Sequence, residues 1–137
     1  MKLQLITANQ VTPQILAIPA QIFANASLQS VTTHLKNGQH FYYLIVDDAN
    51  NFLGIVGFSN PTQTIVDLMF SGLVPQHRKK GHFPKAIQLV EVIIKAQFPQ
   101  ATHIREVAPE DKKTYFQSIG FTLTKQSPGR VELIKKI

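Results

Sequence analysis

Apolar and polar positions follow two different periods along the chain, and the period changes several times. Alternation or β-branched and aromatic blocks predict strands, and apolar residues spaced by three and four predict helices. The strand-like runs are 2–7, 40–47, 52–59, 62–73, 102–107, 121–124 and 131–134, and the helix-like runs are 11–36, 84–98 and 109–119. This order predicts a mixed sheet flanked by helices, an α/β or α+β fold.

Proline and glycine mark where these elements begin and end. Pro13 suits the first turn of the first helix, and Pro19 is expected to divide or kink that helix. Pro84 is expected at the first position of the second helix. Gly120 is expected to end the last one. Turns are predicted at Asn37-Gly38, Asp48–Asn51, Asn60-Pro61 and Ser127–Gly129.

The size and composition of the chain predict one domain over residues 1–137. The chain has no cysteine, which excludes disulfides, thiolate zinc sites and a cysteine nucleophile. No stretch reaches the roughly 20 apolar residues that cross a bilayer, and the apolar run at the N-terminus is too short for a signal peptide. We therefore predict a cytoplasmic location and no membrane partner.

Positive charge is unevenly spread. The net charge is +6, and the only charged side chain between Lys2 and Asp47 is Lys36. Basic residues gather at Arg78–Lys85, at Lys112-Lys113 and near the C-terminus. Such charge can attract nucleic acid, an anionic cofactor or an acidic substrate, or simply form a solvated face. Because no nucleic-acid-reading motif is present, we predict no nucleic-acid partner.

The segment Leu73–Ala86 is the most informative for chemistry. A predicted strand leads into a short basic loop with one glycine, and the loop leads directly into a helix. Unpaired N–H groups and the helix dipole then converge on one point, which is an anion site. A nucleotide, a coenzyme A or a phosphorylated metabolite would fit it. The loop has neither P-loop nor G-x-G-x-x-G spacing.

Two motifs in this chain resemble those of one family. The run L-x-P-x-x-R-x-x-G from Leu73 to Gly81 resembles motif A of the GNAT acetyltransferases, R/Q-x-x-G-x-G/A, with Phe83 in place of the usual small residue. The run Tyr115–Phe121 resembles the L-Y-x-x-x-G-F of that family. The order of elements agrees as well. The resemblance implies a mixed, largely antiparallel central sheet with splayed central strands.

The resemblance also implies acetyl-CoA as cofactor. The pantetheine arm would run along Ser71–Leu73, with the backbone groups of Leu73 and Val74 nearest the thioester. Backbone N–H groups there could polarise the acyl carbonyl. The pyrophosphate would be held by the basic turn, through Arg78, Lys79, Lys80, Gly81, His82 and Phe83.

The family reaction is direct attack of an amine on the thioester, which uses a base and an acid. The acid position of the motif falls on Phe116, which cannot donate a proton, so the neighbouring Tyr115 is the candidate acid. Its alternative role is packing. The candidate bases are Glu106 and Asp67. Their alternative is an exposed charge or a salt bridge with Arg105 or a lysine.

Two functions follow from the resemblance. One is transfer of an acetyl group to a primary amine of a small molecule or peptide. The other is a catalytically weak or inactive relative that binds acyl-CoA or a protein partner. A homodimer is possible, and the apolar stretch Ile15–Leu28 could face an acceptor or an interface. His34, His40 and His103 lack metal-ligand spacing, so we predict no metal site.

Overall fold

The computed structural model describes the chain except residues 24–32, 34, 37–39 and 60–63. The predicted turns at Asn37-Gly38 and Asn60-Pro61 and the side chain of His34 lie outside the described residues. The described strands are β1 (Lys2–Leu5), β2 (His40–Val46), β3 (Phe52–Ser59), β4 (Ile65–Leu73), β5 (His103–Pro109), β6 (Thr122–Ser127) and β7 (Arg130–Lys136). The described α-helices are α1 (Pro13–Ile22), α2 (His82–Gln97) and α3 (Lys113–Ser118).

The strands form one seven-stranded sheet in the order β1-β2-β3-β4-β5-β7-β6. β1 with β2, β2 with β3, β5 with β7 and β6 with β7 are antiparallel. β4 and β5 are parallel over three residue pairs, from Ile65 opposite His103 to Asp67 opposite Arg105. The predicted mixed, largely antiparallel sheet with helices is confirmed. Of the helices described, none is long and apolar enough to cross a membrane.

The chain divides into two compact units, and the prediction of a single domain stays a prediction. The first unit comprises residues 1–60 and 69–90. Its core is apolar and is formed by α1 and the β2–β3 hairpin with the end of β4. Its members are Ile6, Ile18, Leu35, Tyr42, Leu44, Val46, Ile55 and Val74, with Phe23, Met69 and Phe70 packed against them.

The second unit comprises residues 61–68 and 91–137. β5 and β7 pair over seven residue pairs, and the β6–β7 hairpin turns at Gly129, whose φ is +78°. Left-handed backbone of this kind favours glycine. Ion pairs join Asp67 to Arg105 and Glu91 to Lys135. The predicted final hairpin is confirmed.

Two predictions about proline were wrong. The helix α1 continues through Pro19 rather than dividing there. Proline removes only the bond from its own nitrogen, while Pro19 is buried and its carbonyl accepts from Phe23 N at 2.8 Å. Pro84 is the third residue of α2 and not the first, since α2 begins at His82. The first turn of a helix tolerates proline because its N–H groups have no intrahelical acceptor.

Candidate functional site

The turn between β4 and α2 is built from local hydrogen bonds. Pro75 opens a 3-10 turn over Pro75–His77, in which His77 N donates to Val74 O at 2.9 Å. Arg78 N then donates to Pro75 O at 3.2 Å. Proline fits here because this position needs no N–H donor. The chain is thereby turned from the end of β4 to the start of α2 within eight residues, 74–81.

Two residues of this turn have left-handed backbone. The φ angles are +62° at Lys79 and +78° at Gly81. A Cβ built on Gly81 meets no atom within 4 Å, so the space in front of this residue is open. Gly81 directly precedes α2, whose first N–H groups have no intrahelical partner. Open space, unpaired donors and the positive end of a helix dipole together form a concave anion site.

Arg78 ties this turn to the end of β4. Its Nε donates to the Leu73 carbonyl at 3.0 Å. Its two Nη groups donate to none of the described residues. Lys79, Lys80 and Gly81 are exposed, and His82 is half-buried. Of the predicted cofactor-binding residues, these are the ones that an anion could reach by side chain or backbone.

Two of the predicted cofactor-binding residues are held differently from the expectation. Phe83 is only 7% exposed, so its ring belongs to the core and it could contribute only its backbone N–H. The Val74 N–H, expected near the thioester, donates to Leu53 O at 2.9 Å and is therefore engaged. Because neighbouring N–H groups of a strand point to opposite edges, the Leu73 N–H points away from β3.

An irregularity in β4, which the sequence did not reveal, precedes Leu73. Phe70 has φ +46°, and both Met69 and Phe70 pack against the same apolar cluster, which regular alternation would forbid. Gly57 N donates to Ser71 Oγ at 3.2 Å, and Ser71 Oγ donates to Met69 O at 3.2 Å. A serine hydroxyl thus replaces part of the backbone ladder. Such bulges re-aim side chains and often lie next to active sites.

Glu106 is a carboxyl in apolar surroundings within the second unit. Alternation along β5 places it on the same face as Ile104 and Ala108, and its register partner on β7 is Leu133. All three neighbours are buried. Glu106 Oε2 is buried and has no hydrogen-bond partner among the described residues. Burial, together with the negative charge of Asp67, raises the pKa of Glu106 to about 8.

The alternative reading of the two carboxylates is therefore right for one and wrong for the other. Asp67 forms the expected salt bridge, with Arg105 Nε at 2.5 Å from Asp67 Oδ1 and Nη2 at 3.0 Å from Oδ2. Glu106 is neither an exposed charge nor ion-paired to a described residue. Its burial depends on residues distant in the sequence, which periodicity does not reveal.

Phe116 and Tyr115 occupy different environments on α3. Phe116 is buried and packs edge-on against Phe121 at a centroid distance of 5.3 Å. Tyr115 is 41% exposed, and its ring meets the Phe116 ring at 5.6 Å. Partial burial raises the pKa of Tyr115, so its hydroxyl is protonated at neutral pH. Tyr115 therefore retains a proton that it could donate.

The predicted residues are brought together in two groups. Those from Leu73 to Phe83 lie in the first unit and form one continuous turn. Glu106 and Tyr115 lie in the second unit, on β5 and α3. The first group offers N–H donors and positive charge, and the second offers one buried carboxyl and one phenol.

Comparison with known proteins gives agreement in structure without agreement in sequence. No protein-family model matches the chain, and no curated protein matches its sequence. Among solved structures, the chain is similar to Tetrahymena GCN5, with TM-score 0.78, 15% identity and coverage of 100% of this chain and 96% of that one. It is also similar to an IAA acetyltransferase from Bacillus cereus, with TM-score 0.73, 10% identity and 99% coverage of both chains.

A third similar structure is the aminoglycoside acetyltransferase AAC(6')-Ib in complex with coenzyme A and kanamycin. Its TM-score is 0.73 at 12% identity, covering 98% of this chain and 94% of that one. Identities this low show the fold alone. Since the similarity spans nearly the full length of each chain, the protein has the fold of the GNAT acetyltransferases.

Proposed function

We propose that this protein is an N-acetyltransferase that moves an acetyl group from acetyl-CoA to a primary amine. The observation that carries the proposal is the turn of Arg78–Gly81 at the start of α2. It combines left-handed backbone, open space at Gly81 and a guanidinium fixed to the end of β4. The fold similarity supports the same conclusion, because AAC(6')-Ib has coenzyme A bound.

The residues of the first unit suit the chemistry of coenzyme A. The N–H groups at the start of α2, with Arg78, Lys79 and Lys80, would hold the pyrophosphate. His82 and the Phe83 N–H lie at the same helix start and would complete this contact. The Leu73 N–H, which points away from β3, would donate to the acyl carbonyl, whereas the Val74 N–H is engaged by Leu53. The divergence of β4 and β5 around the pantetheine arm remains a prediction.

Acetyl-CoA would bring the acetyl group as a thioester. Glu106 would act as the base, accepting the proton that the amine loses as its nitrogen bonds to the acyl carbon. Tyr115 would donate its proton to the sulfur as the C–S bond breaks, and would regain one from solvent. The products are an amide and free thiol, so the protons balance. The Leu73 N–H would stabilise the negative charge that develops on the acyl oxygen.

The acceptor is proposed as a primary amine on a small molecule or a peptide. The named neighbours include an aminoglycoside acetyltransferase and a spermidine N-acetyltransferase from Vibrio cholerae, whose names indicate small amine-bearing acceptors. We propose a cytoplasmic location, because acetyl-CoA is supplied there and the chain has no cysteine. A homodimer stays part of the proposal.

A second function is favoured by one observation. The acid position of the family motif is Phe116, which is buried against Phe121 and has no proton to give. The protein could therefore bind acyl-CoA without transferring the acyl group. Binding of acetyl-CoA together with no thiol release from any amine of a broad panel would select this second function.

Arg78→Ala should weaken acetyl-CoA binding by roughly ten- to a hundredfold, since it removes a charge-assisted contact to phosphate and the bond to Leu73 O. The measurement is the rise of Tm with acetyl-CoA concentration, which depends on the ratio of ligand concentration to Kd. Lys95→Ala is the matched control, because Lys95 is exposed in the last turn of the same helix. Equal stabilisation of Arg78→Ala and wild type would show that the turn is not the cofactor site.

Tyr115→Phe should lower kcat by about a hundredfold, because the departing sulfur loses its proton donor. The KM for acetyl-CoA should change little, since the ring and its packing on Phe116 are retained. Thiol release over a panel of primary amines measures both constants. Tyr43→Phe removes the same hydroxyl from a buried position in β2 and should have no such effect. Unchanged kcat in Tyr115→Phe would assign the acid to another group.

A further inference from the structure

Four charged residues cluster around β5 in the second unit. Asp67 on β4 lies opposite Arg105 in the parallel register, and Glu106 follows Arg105. Glu132 on β7 lies opposite Val107, and its Oε1 is 3.9 Å from Arg105 Nη1. Arg105 thus stands between two carboxylates, and a third carboxyl, Glu106, is beside it in the chain.

The contact between Asp67 and Arg105 is the tight one. Two parallel bonds, of 2.5 Å and 3.0 Å, join both oxygens of Asp67 to Nε and Nη2 of Arg105. A fork of this geometry holds the carboxylate ionised and fixed in direction. The contact with Glu132 is a single long one, and Glu132 Oε2 also accepts from Thr124 Oγ1 at 3.1 Å. Only Asp67 is therefore firmly held.

Glu106 lies on the other face of β5 from this pair. Alternation places Arg105 and Val107 on one face and Glu106 on the opposite face, among Ile104, Ala108 and Leu133. The carboxyl has no partner of its own, so its charge state depends on desolvation and on nearby fixed charge. The strand between the two groups is protein rather than water, and screening across it is weak.

We propose that Asp67 and Arg105 form a positioning pair for Glu106, in which Arg105 fixes the Asp67 carboxylate and the Asp67 charge sets the proton affinity of the Glu106 carboxyl. This rests on the proposed function, in which Glu106 is the base. The pair touches no substrate atom in that scheme. It acts by keeping Glu106 protonated at rest, so that the base forms only toward mildly alkaline pH.

The direction follows from like charge. A fixed negative charge disfavours ionisation of a neighbouring carboxyl, and the pKa of Glu106 is raised first by burial and second by Asp67. Among the described groups on the elements beside it, the charges are Asp67 on β4, Arg105 on β5 and Glu132 on β7. Glu132 carries the same charge as Asp67 and does not contribute to the Glu106 shift.

The test is a ¹³C NMR titration of the Glu106 carboxyl in the intact protein, assigned by the signal that disappears in Glu106→Gln. Asp67→Asn should move the Glu106 midpoint to lower pH by about half a pH unit, the size expected for one charge about 7 Å away across partly solvated protein. Glu132→Gln is the matched control, because it removes an equal charge from the other partner of Arg105. It should leave the midpoint unchanged.

The outcomes separate this inference from the proposed function. An unmoved midpoint in Asp67→Asn, or an equal movement in Glu132→Gln, overturns the positioning role whatever the activity. A second variant, Asp67→Ser, gives the same reading if Asp67→Asn does not fold. The acid limb of the pH–kcat/KM profile should move by the same amount as the midpoint. A moved midpoint in a protein that releases no thiol supports the electrostatic coupling and overturns the proposed activity instead.

Discussion

Glu106→Gln is expected to lower the rate of acetyl transfer by a factor of roughly 10²–10⁴, the range typical of losing a general base. The amine must lose a proton to become an amide, and glutamine cannot accept it. The folded protein holds Glu106 neutral below about pH 8, so glutamine preserves the native charge state there and the variant should fold.

The pH dependence gives this expectation a second readout. A base works only when ionised, and the pKa of Glu106 is about 8, raised by burial and by Asp67. In wild type, kcat/KM should therefore fall about tenfold for each pH unit below 8. Glu106→Gln should lose this limb. The titration of the acceptor ammonium, which lies at higher pH for ordinary alkyl amines, should remain in both proteins.

The control separates a missing base from a disturbed site. Acetyl-CoA should raise the Tm of Glu106→Gln as much as that of wild type, because the cofactor-binding residues lie in the other unit. Glu132→Gln, which changes a half-buried glutamate on β7, should keep the limb at pH 8. Full activity in Glu106→Gln, or a limb near pH 8 that survives in it, would rule out Glu106 as the base.

Local signals allowed most of the fold to be predicted from the sequence. The β2–β3 hairpin, the helix after the basic turn and the final hairpin each carry their own period and turn residues within a short window. The basic turn was equally legible, because an anion site at a helix start depends on neighbours in the chain: Arg78, Gly81 and the helix itself.

What sequence reasoning missed depends on contacts between distant residues. The environment of Glu106 is set by Leu133, 27 positions away, and its pKa by Asp67, 39 positions away. Alternation placed Ile104 and Glu106 on one face but could not say that this face is buried. The irregularity at Phe70 arises where β4 meets the apolar cluster, and no glycine marks the residue with positive φ. Pro19 remains in α1 because its ring is buried.

One consequence of such distant contacts is a strong steric requirement at Gly54 on β3. A Cβ placed there would lie 2.2 Å from the Gly72 carbonyl oxygen and 2.9 Å from the Leu73 Cα. Both atoms are backbone, so no side chain can rotate to make room. β3 and β4 approach closely at this point, and the approach fixes the residue whose N–H is proposed to face the acyl carbonyl.

Gly54→Ala is therefore expected to destabilise the protein by about 3 kcal/mol or more, the upper range for overpacking, and to lower Tm by roughly 10 °C. Gly81→Ala is the matched control. Its Cβ meets nothing within 4 Å, and the φ of +78° costs about 1 kcal/mol. Thermal unfolding of the two variants measures the difference. Equal losses would mean that backbone conformation, and not the close approach of β3 to Gly72, requires glycine at position 54. The larger loss at Gly54, accompanied in the folded fraction by weaker stabilisation by acetyl-CoA, would show that the same contact holds Leu73 in place.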